Sequence, residues 1–337
     1  MRAIGFTTPG DPSVLIDLDL ELPDPNATGH DLLVEVRAVS VNPIDTKVRR
    51  RPLPEGSGPK VLGWDAAGVV RAVGPEVTLF APGDQVWYAG SVVRPGTNSE
   101  LHLVDERIVA HKPTTLDFAE AAAMPLTTIT AWELLFDRLG VVRGAGQGQT
   151  LLIVGAAGGV GSMLTQLAAR LTELRVVGTA SRPETSEWVT SLGADHVIDH
   201  TRSLAPQLDA LGVAGVELIA SLTHTQEHFP QLAEILAPQG RIGLIDDPRQ
   251  LDVVALKSKA ASLHWESMFT RSTFGTVDLV EQHNLLTETA RLVDAGVLVT
   301  TLRGVVGPID AKHLRAAHER VESGRAVGKF VLDGWLS

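Results

Sequence analysis

Thr150-Leu-Leu-Ile-Val-Gly-Ala-Ala-Gly-Gly-Val-Gly-Ser162 is the stretch around which the rest of the chain is organised. Leu151 to Val154 form a short apolar block of strand type. Gly155, Gly158, Gly159 and Gly161 then crowd the point where a strand must turn sharply into a helix. Beyond it, Val160, Met163, Leu164, Leu167, Ala168 and Leu171 recur at helical spacing. A strand, a glycine turn and an amphipathic helix together seat a dinucleotide pyrophosphate on a helix N-terminus, where free backbone N–H groups and the helix dipole favour an anion. Against the pattern G-x-G-x-x-G the residues are Ala156, Gly158 and Gly161. Alanine in the first position calls for a slightly wider turn, which Gly155 is placed to relieve. A tight turn without a ligand is the bland alternative, and the flanking strand and helix argue against it. No Gly-Lys-Ser/Thr follows, which sets the stretch apart from a P-loop.

The chain has 337 residues, enough for two domains of ordinary size, each with its own core. Hydrophobic residues at 44% and charged residues at 20% are normal for a soluble globular protein. There is no cysteine, which excludes disulfides and thiolate metal ligands. A net charge of −11 argues against a nucleic-acid or anionic-membrane partner, because both reward clustered Lys and Arg. No apolar run approaches the ~20 residues of a membrane span. Met1-Arg-Ala-Ile-Gly-Phe6 lacks the long apolar region of a signal peptide, so a cytoplasmic protein is expected.

Before the glycine turn the chain reads as β-rich. Strands are expected at 14–20, 32–41, 67–73 and 84–88. Pro23-Asp-Pro25, Asn26-Ala-Thr-Gly29, Gly74-Pro75 and Ala81-Pro-Gly-Asp84 punctuate them. Short strands with frequent turns suggest a small barrel-like domain. Arg49-Arg50-Arg51 opens a loop rich in Pro and Gly that reaches Lys60. It reads as a solvated loop or as a basic lip for an anionic substrate. After the turn, strands are expected at 175–180, 196–199, 216–221, 241–245 and 260–269, alternating with helical patterns. That alternation predicts a doubly wound parallel sheet with the cofactor across the carboxyl ends of its strands. Residues 277–295 read as a helix, and the tail returns to the first domain through 297–306 and 330–332.

His224-Thr-Gln-Glu-His228 fits the H-x-x-E-H pattern of some zinc peptidases, but no third ligand is placed by a nearby helix. Two other motifs carry more. They are Ser40-Val-Asn-Pro-Ile-Asp-Thr-Lys-Val-Arg49 and Val61-Leu-Gly-Trp-Asp-Ala-Ala-Gly-Val-Val70. With Gly83-Asp-Gln-Val-Trp87, the glycine turn and Gly328-Lys-Phe-Val-Leu332, the whole chain resembles the medium-chain dehydrogenase/reductase superfamily. The likeness is to its zinc-free quinone oxidoreductase branch, often labelled zinc-type alcohol dehydrogenase-like. The resemblance implies an α/β chain made of a Rossmann dinucleotide-binding domain over 125–272 and a β-rich, GroES-like catalytic domain over 1–124 and 273–337. It also gives the turn after the fourth strand to the cofactor rather than to a metal.

The zinc alcohol dehydrogenases have Cys in the first motif where this chain has Asn42, and His in the second where it has Trp64. They also carry a four-cysteine lobe. A catalytic zinc needs three protein ligands; Asn42 is a poor one and Trp64 is none, so no metal is expected. Hydride must then pass from a nicotinamide to an acceptor already electron-poor, with charge on its oxygen held by hydrogen bonds. The expected activity is NADPH-dependent reduction of quinones or α,β-unsaturated carbonyls.

Asn42 is the candidate donor to that oxygen, Asp45 organises the site by hydrogen bonds, and Trp64 replaces the metal ligand by packing. The resemblance places Thr128, on the helix joining the domains, beside the nicotinamide. Arg49 and Lys47 are candidate substrate contacts. The resemblance assigns cofactor contacts to Ala157, Gly158, Gly159 and Val160 at the turn, Leu222 and Thr223 after the fourth strand, Ile245 after the fifth, and Phe269. Ser181 and Arg182 end the second strand where an NAD site usually has a carboxylate, and they favour the 2′-phosphate of NADP(H). The stretch 260–269 reads as an edge strand in need of a partner, and the resemblance implies that it pairs with its twin in a homodimer. A metal-free alcohol or aldehyde dehydrogenase and a non-catalytic NADPH-binding protein remain alternatives.

Overall fold

A computed structural model describes residues 1–22, 27–56 and 58–336. The expected turn at 23–26 lies outside the described residues. The Cα positions group into two units, one of Met1–Ile129 with Phe269–Ser337 and one of Thr130–Met268.

In the second unit six strands form one parallel sheet: β1 (Thr150–Val154), β2 (Arg175–Thr179), β3 (His196–Ile198), β4 (Val216–Ser221), β5 (Leu236–Leu244) and β6 (Ser262–Trp265). Their order is β3-β2-β1-β4-β5-β6, the doubly wound arrangement that changes direction beside β1. Every residue of β1 is buried, as a central strand covered on both faces requires; this is why it reads as an unbroken apolar run. Leu152 faces Val177 on one side and Ile219 on the other. Helices α1 (Gly159–Leu171), α2 (Pro183–Ser191), α3 (Leu204–Ala210) and α4 (Thr225–Ile235) are the crossovers.

The expected sixth strand is shortened. Ala260 takes a left-handed φ of 49°, β6 runs only from Ser262 to Trp265, and a short helix begins at Thr270. The fifth strand is longer than expected because it starts at Leu236, with a register shift against β4 between Val216 and Leu218.

The first unit holds a seven-stranded mixed sheet and a three-stranded one. Asp31–Ser40 is the spine of the larger sheet. It pairs antiparallel with Ala66–Val73, Leu101–Asp105 and Lys329–Asp333. The last of these pairs parallel with Leu302–Gly307. The smaller sheet joins Ile16–Asp19, Arg2–Phe6 and Lys60–Val61. The expected helix forms as Glu281–Asp294. Among the described residues no helix is long and apolar enough to cross a membrane.

Candidate functional site

Each unit brings a separate set of the singled-out residues together. In the second unit they gather at the carboxyl ends of the parallel strands. Gly155 takes φ 83° directly after β1, a conformation that strains any residue with a Cβ. Its amide donates to Thr179 Oγ1 at the end of β2 (3.1 Å), which fixes the turn. A Cβ on Gly161 would lie 2.5 Å from the Gly155 carbonyl oxygen, so helix and strand pack this closely only with glycine there. Ala156 is therefore tolerated because Gly155 makes the turn.

The helix α1 starts at Gly159 with Gly158 as its N-cap, and its first amides have no intrahelical acceptor. Ala157, Gly158, Gly159 and Val160 are all partly accessible at that terminus. Leu222 and Thr223 follow β4, and Ile245 follows β5, at the same edge of the sheet. Ser181 is exposed just beyond β2, and Arg182 is the N-cap of α2. The Arg182 amide donates to Thr185 Oγ1, which donates in turn to the Arg182 carbonyl.

His224, at φ 51°, bonds through its ring to Thr223 Oγ1 and leads into α4. The Thr225 amide and hydroxyl donate to the Asp246 carboxylate (2.9 and 2.6 Å), tying that helix start to the end of β5. Among the described residues no three His, Cys, Asp or Glu side chains group so as to hold a metal ion.

In the first unit the register of the sheet builds a buried polar cluster. Val39 faces Ala66 and Ser40 faces Val331, so the ends of three strands meet. Asn42 follows the spine strand as N-cap of the helix Pro43–Arg49. Its amide N–H donates to Asp45 Oδ2, three residues on, at 2.8 Å. The Asn42 side chain turns the other way: Nδ2 donates to Asp65 Oδ2 at 2.7 Å, and Oδ1 accepts from Lys329 Nζ at 2.5 Å. Asp65 also accepts from Ser40 Oγ (2.7 Å) and, through Oδ1, from the Leu126 amide (2.7 Å). Lys329 Nζ reaches the Val41 carbonyl and Asp65 Oδ2, both at 3.0 Å. Burial pushes the Asp45 carboxyl up to about 7, against the pull of the Asn42 amide and the Lys329 charge.

Trp64 is fully buried, donates Nε1–H to the Ser91 carbonyl (3.0 Å) and meets the Phe269 ring edge-on at 6.0 Å. Phe269 thus lies in the first unit with Trp64. Thr128 is buried on the helix Pro125–Trp132, and its Oγ1 has no hydrogen-bond partner among the described residues.

Arg49 departs from the sequence reading. It is fully buried, donating to the Gly10 carbonyl, His318 Nδ1 and Glu322 Oε1 at 3.0, 2.6 and 2.5 Å. It locks the helix Pro43–Arg49 to Ala311–Glu322 and is not available to a substrate. Burial and the Arg49 charge hold the His318 ring neutral, lowered to about 3.

Asp65 and Lys329 were not singled out as site residues, although both lie inside quoted motifs. Their signal was a carboxylate beside Trp64 and a lysine in an apolar terminal strand. Glu133, Arg138 and Glu266 were missed too. In the second unit Glu133 and Glu266 are buried beside the half-buried Arg138; burial and the neighbouring Glu133 raise the Glu266 pKa, and Arg138 Nε donates to it at 2.8 Å.

Comparison with known proteins places this architecture. The family model for the alcohol dehydrogenase GroES-like domain matches residues 28–116, and that for zinc-binding dehydrogenases matches 192–332. A zinc-type alcohol dehydrogenase-like protein of Staphylococcus epidermidis is 36% identical over 99% of both chains. The chain belongs to the medium-chain dehydrogenase/reductase superfamily. It is an oxidoreductase of that superfamily with the superfamily's Rossmann and GroES-like parts. A Rhizobium etli protein, named provisionally as a zinc-dependent alcohol dehydrogenase, superposes with a TM-score of 0.95 at 54% identity, covering 100% of this chain and 99% of that one. A quinone oxidoreductase of Pseudomonas syringae superposes at 0.82 with 26% identity, covering 98% and 99%.

The zinc in these names finds no donor set at the two motifs of this medium-chain oxidoreductase. The Asn42 amide is taken up by Asp65 and Lys329, and the Trp64 nitrogen carries a hydrogen and offers no lone pair. A fixed ammonium already stands against Asp65, and the other carboxylate there, Asp45, accepts the Asn42 backbone amide. The residues do not fit a zinc ion.

Proposed function

We propose that the protein is an NADPH-dependent reductase of quinones or α,β-unsaturated carbonyls that works without a metal. The observation that carries this reading is the buried cluster around Asn42. It offers a fixed amide donor in place of a Lewis acid, and such a donor suffices only for an acceptor that is already electron-poor.

A bound dinucleotide would supply the hydride. The glycine turn and the start of α1 would hold its pyrophosphate, and Ser181 with Arg182 its 2′-phosphate. The Thr128 hydroxyl, without a partner among the described residues, would suit the carboxamide end of the cofactor. Asn42 Nδ2 donates one hydrogen to Asp65 and keeps its second for the acceptor oxygen, which gains charge as hydride arrives. Asp45 holds the Asn42 backbone, and water supplies the proton. The edge strand β6, with Trp265 exposed, pairs with a second copy in a homodimer.

The test is NADPH oxidation by purified protein with simple quinones, enones and alcohols, before and after exhaustive chelation. Turnover with quinones or enones that survives chelation is expected. Stoichiometric zinc together with loss of turnover on chelation would overturn the reading.

A further inference from the structure

We infer that Lys329 is a positioning residue whose buried ammonium fixes the orientation of the Asn42 amide, and so decides which hydrogen is left for the acceptor. The inference rests on the reading of Asn42 given above.

An asparagine amide has nearly the same shape either way round, so packing alone does not set which end is oxygen. Here the two ends meet opposite charges. Oδ1 lies 2.5 Å from the Lys329 ammonium and Nδ2 lies 2.7 Å from the Asp65 carboxylate. Turning the amide over would set hydrogens against the ammonium and oxygen against the carboxylate, so both contacts would become like against like. Only one orientation survives.

An ammonium has three hydrogens, and this one has three acceptors: the Val41 carbonyl at 3.0 Å, Asn42 Oδ1 and Asp65 Oδ2 at 3.0 Å. Lys329 is thereby saturated and has no hydrogen to offer a substrate, so its influence on the acceptor passes through Asn42. The charge at the amide oxygen also draws electron density from the nitrogen, which strengthens the remaining Nδ2 hydrogen as a donor. The Asn42 Nδ2 atom has no second partner among the described residues. Lys329 thus brings a fixed positive charge to the motif pair from a strand far along the chain.

The experiment compares Lys329→Met, Asn42→Ala and the double variant with the parent, measuring kcat with a quinone and the dissociation constant of NADPH by fluorescence. Lys329→Met is expected to lower kcat on the order of 10- to 100-fold, leaving NADPH affinity within about twofold. Because Lys329 acts through Asn42, the double variant should be no more than about threefold slower than Asn42→Ala alone. Losses that multiply in full in the double variant would overturn the proposal.

A second readout does not need activity. In the parent, ¹⁵N NMR should show one lysine ammonium and the Asn42 side-chain amide protected from solvent exchange. In Lys329→Met that amide should exchange at least about tenfold faster. Unchanged exchange, or an unprotected ammonium in the parent, overturns the role of Lys329. Should Lys329→Met not fold, Lys329→Gln, a neutral donor, replaces it, and the parent ammonium signal stands alone. A parent inactive with every acceptor would refute the proposed function, and the exchange measurement would still decide the role of Lys329.

Discussion

Asp45→Asn separates a titrating buried carboxyl from a merely structural one. Asp45 is fully buried, and burial raises its pKa from 3.8 to about 7. A folded-state value above the unfolded one means that the stability from the protonated form is fully present below pH 3.8 and lost as pH rises through about 7. The shift spans about three pH units at about 1.4 kcal/mol each, so ionising this one group costs the folded protein on the order of 4 kcal/mol. Asparagine keeps an oxygen to accept the Asn42 amide, the 2.8 Å bond made by Oδ2, but never ionises. It also leaves a buried –NH₂ short of partners, a pH-independent penalty of about 1–3 kcal/mol. The variant should therefore be somewhat less stable than the parent at about pH 4 and gain on it steadily, by on the order of 4 kcal/mol, up to about pH 8. Urea unfolding across that range, followed by the fluorescence of Trp64 and Trp87 in the same unit, measures the difference. A difference that does not change with pH would refute the reasoning and return Asp45 to an ordinary ionised helix cap.

Three further outcomes are expected. Asn42→Ala should lower turnover with a quinone on the order of 10²-fold while NADPH affinity stays nearly unchanged; a loss within about twofold removes Asn42 from the reaction. Arg182→Ala should erase most of a preference for NADPH over NADH on the order of 10- to 100-fold, the worth of one charged hydrogen bond, as read in kcat/KM for the two cofactors. Arg49→Met should cost about 2–3 kcal/mol of stability, less than a fully buried pair because Glu322 keeps Arg50, with kcat/KM unchanged; a rise in KM alone would restore Arg49 as a substrate contact.

What was legible in the sequence was local. The strand, turn and helix around Gly155 lie within some twenty residues, and their apolar spacing follows directly from burial of β1 and one face of α1. The Asn42 cluster was half legible. Its two motifs were visible, but Asp65 and Lys329 reach Asn42 across 23 and 287 positions, and only strand register brings them there. Arg49 was misread for a related reason. In a row of three arginines charge alone suggests solvent, whereas helical geometry turns one of the three inward, towards His318 and Glu322. The sixth strand was overextended because Met268 and Phe269 continue its apolar pattern, while the backbone leaves the sheet after Trp265.

The strand Lys329–Asp333 lies beside Asp31–Ser40, and between them the chain makes an entire second unit. On the ribosome, the spine strand can pair early with Ala66–Val73 and, at its Asp31–Glu35 end, with Leu101–Asp105, but its Ala38–Ser40 end waits for Lys329–Asp333 some 290 residues later. At roughly 5–20 residues per second that is on the order of 15 to 60 seconds. The inserted unit, whose strands are all contiguous in the chain, is free to fold during that interval. The first unit begins before the second and cannot be completed until the second has been synthesised, and the Asn42 cluster gains its lysine only when Lys329–Asp333 arrives.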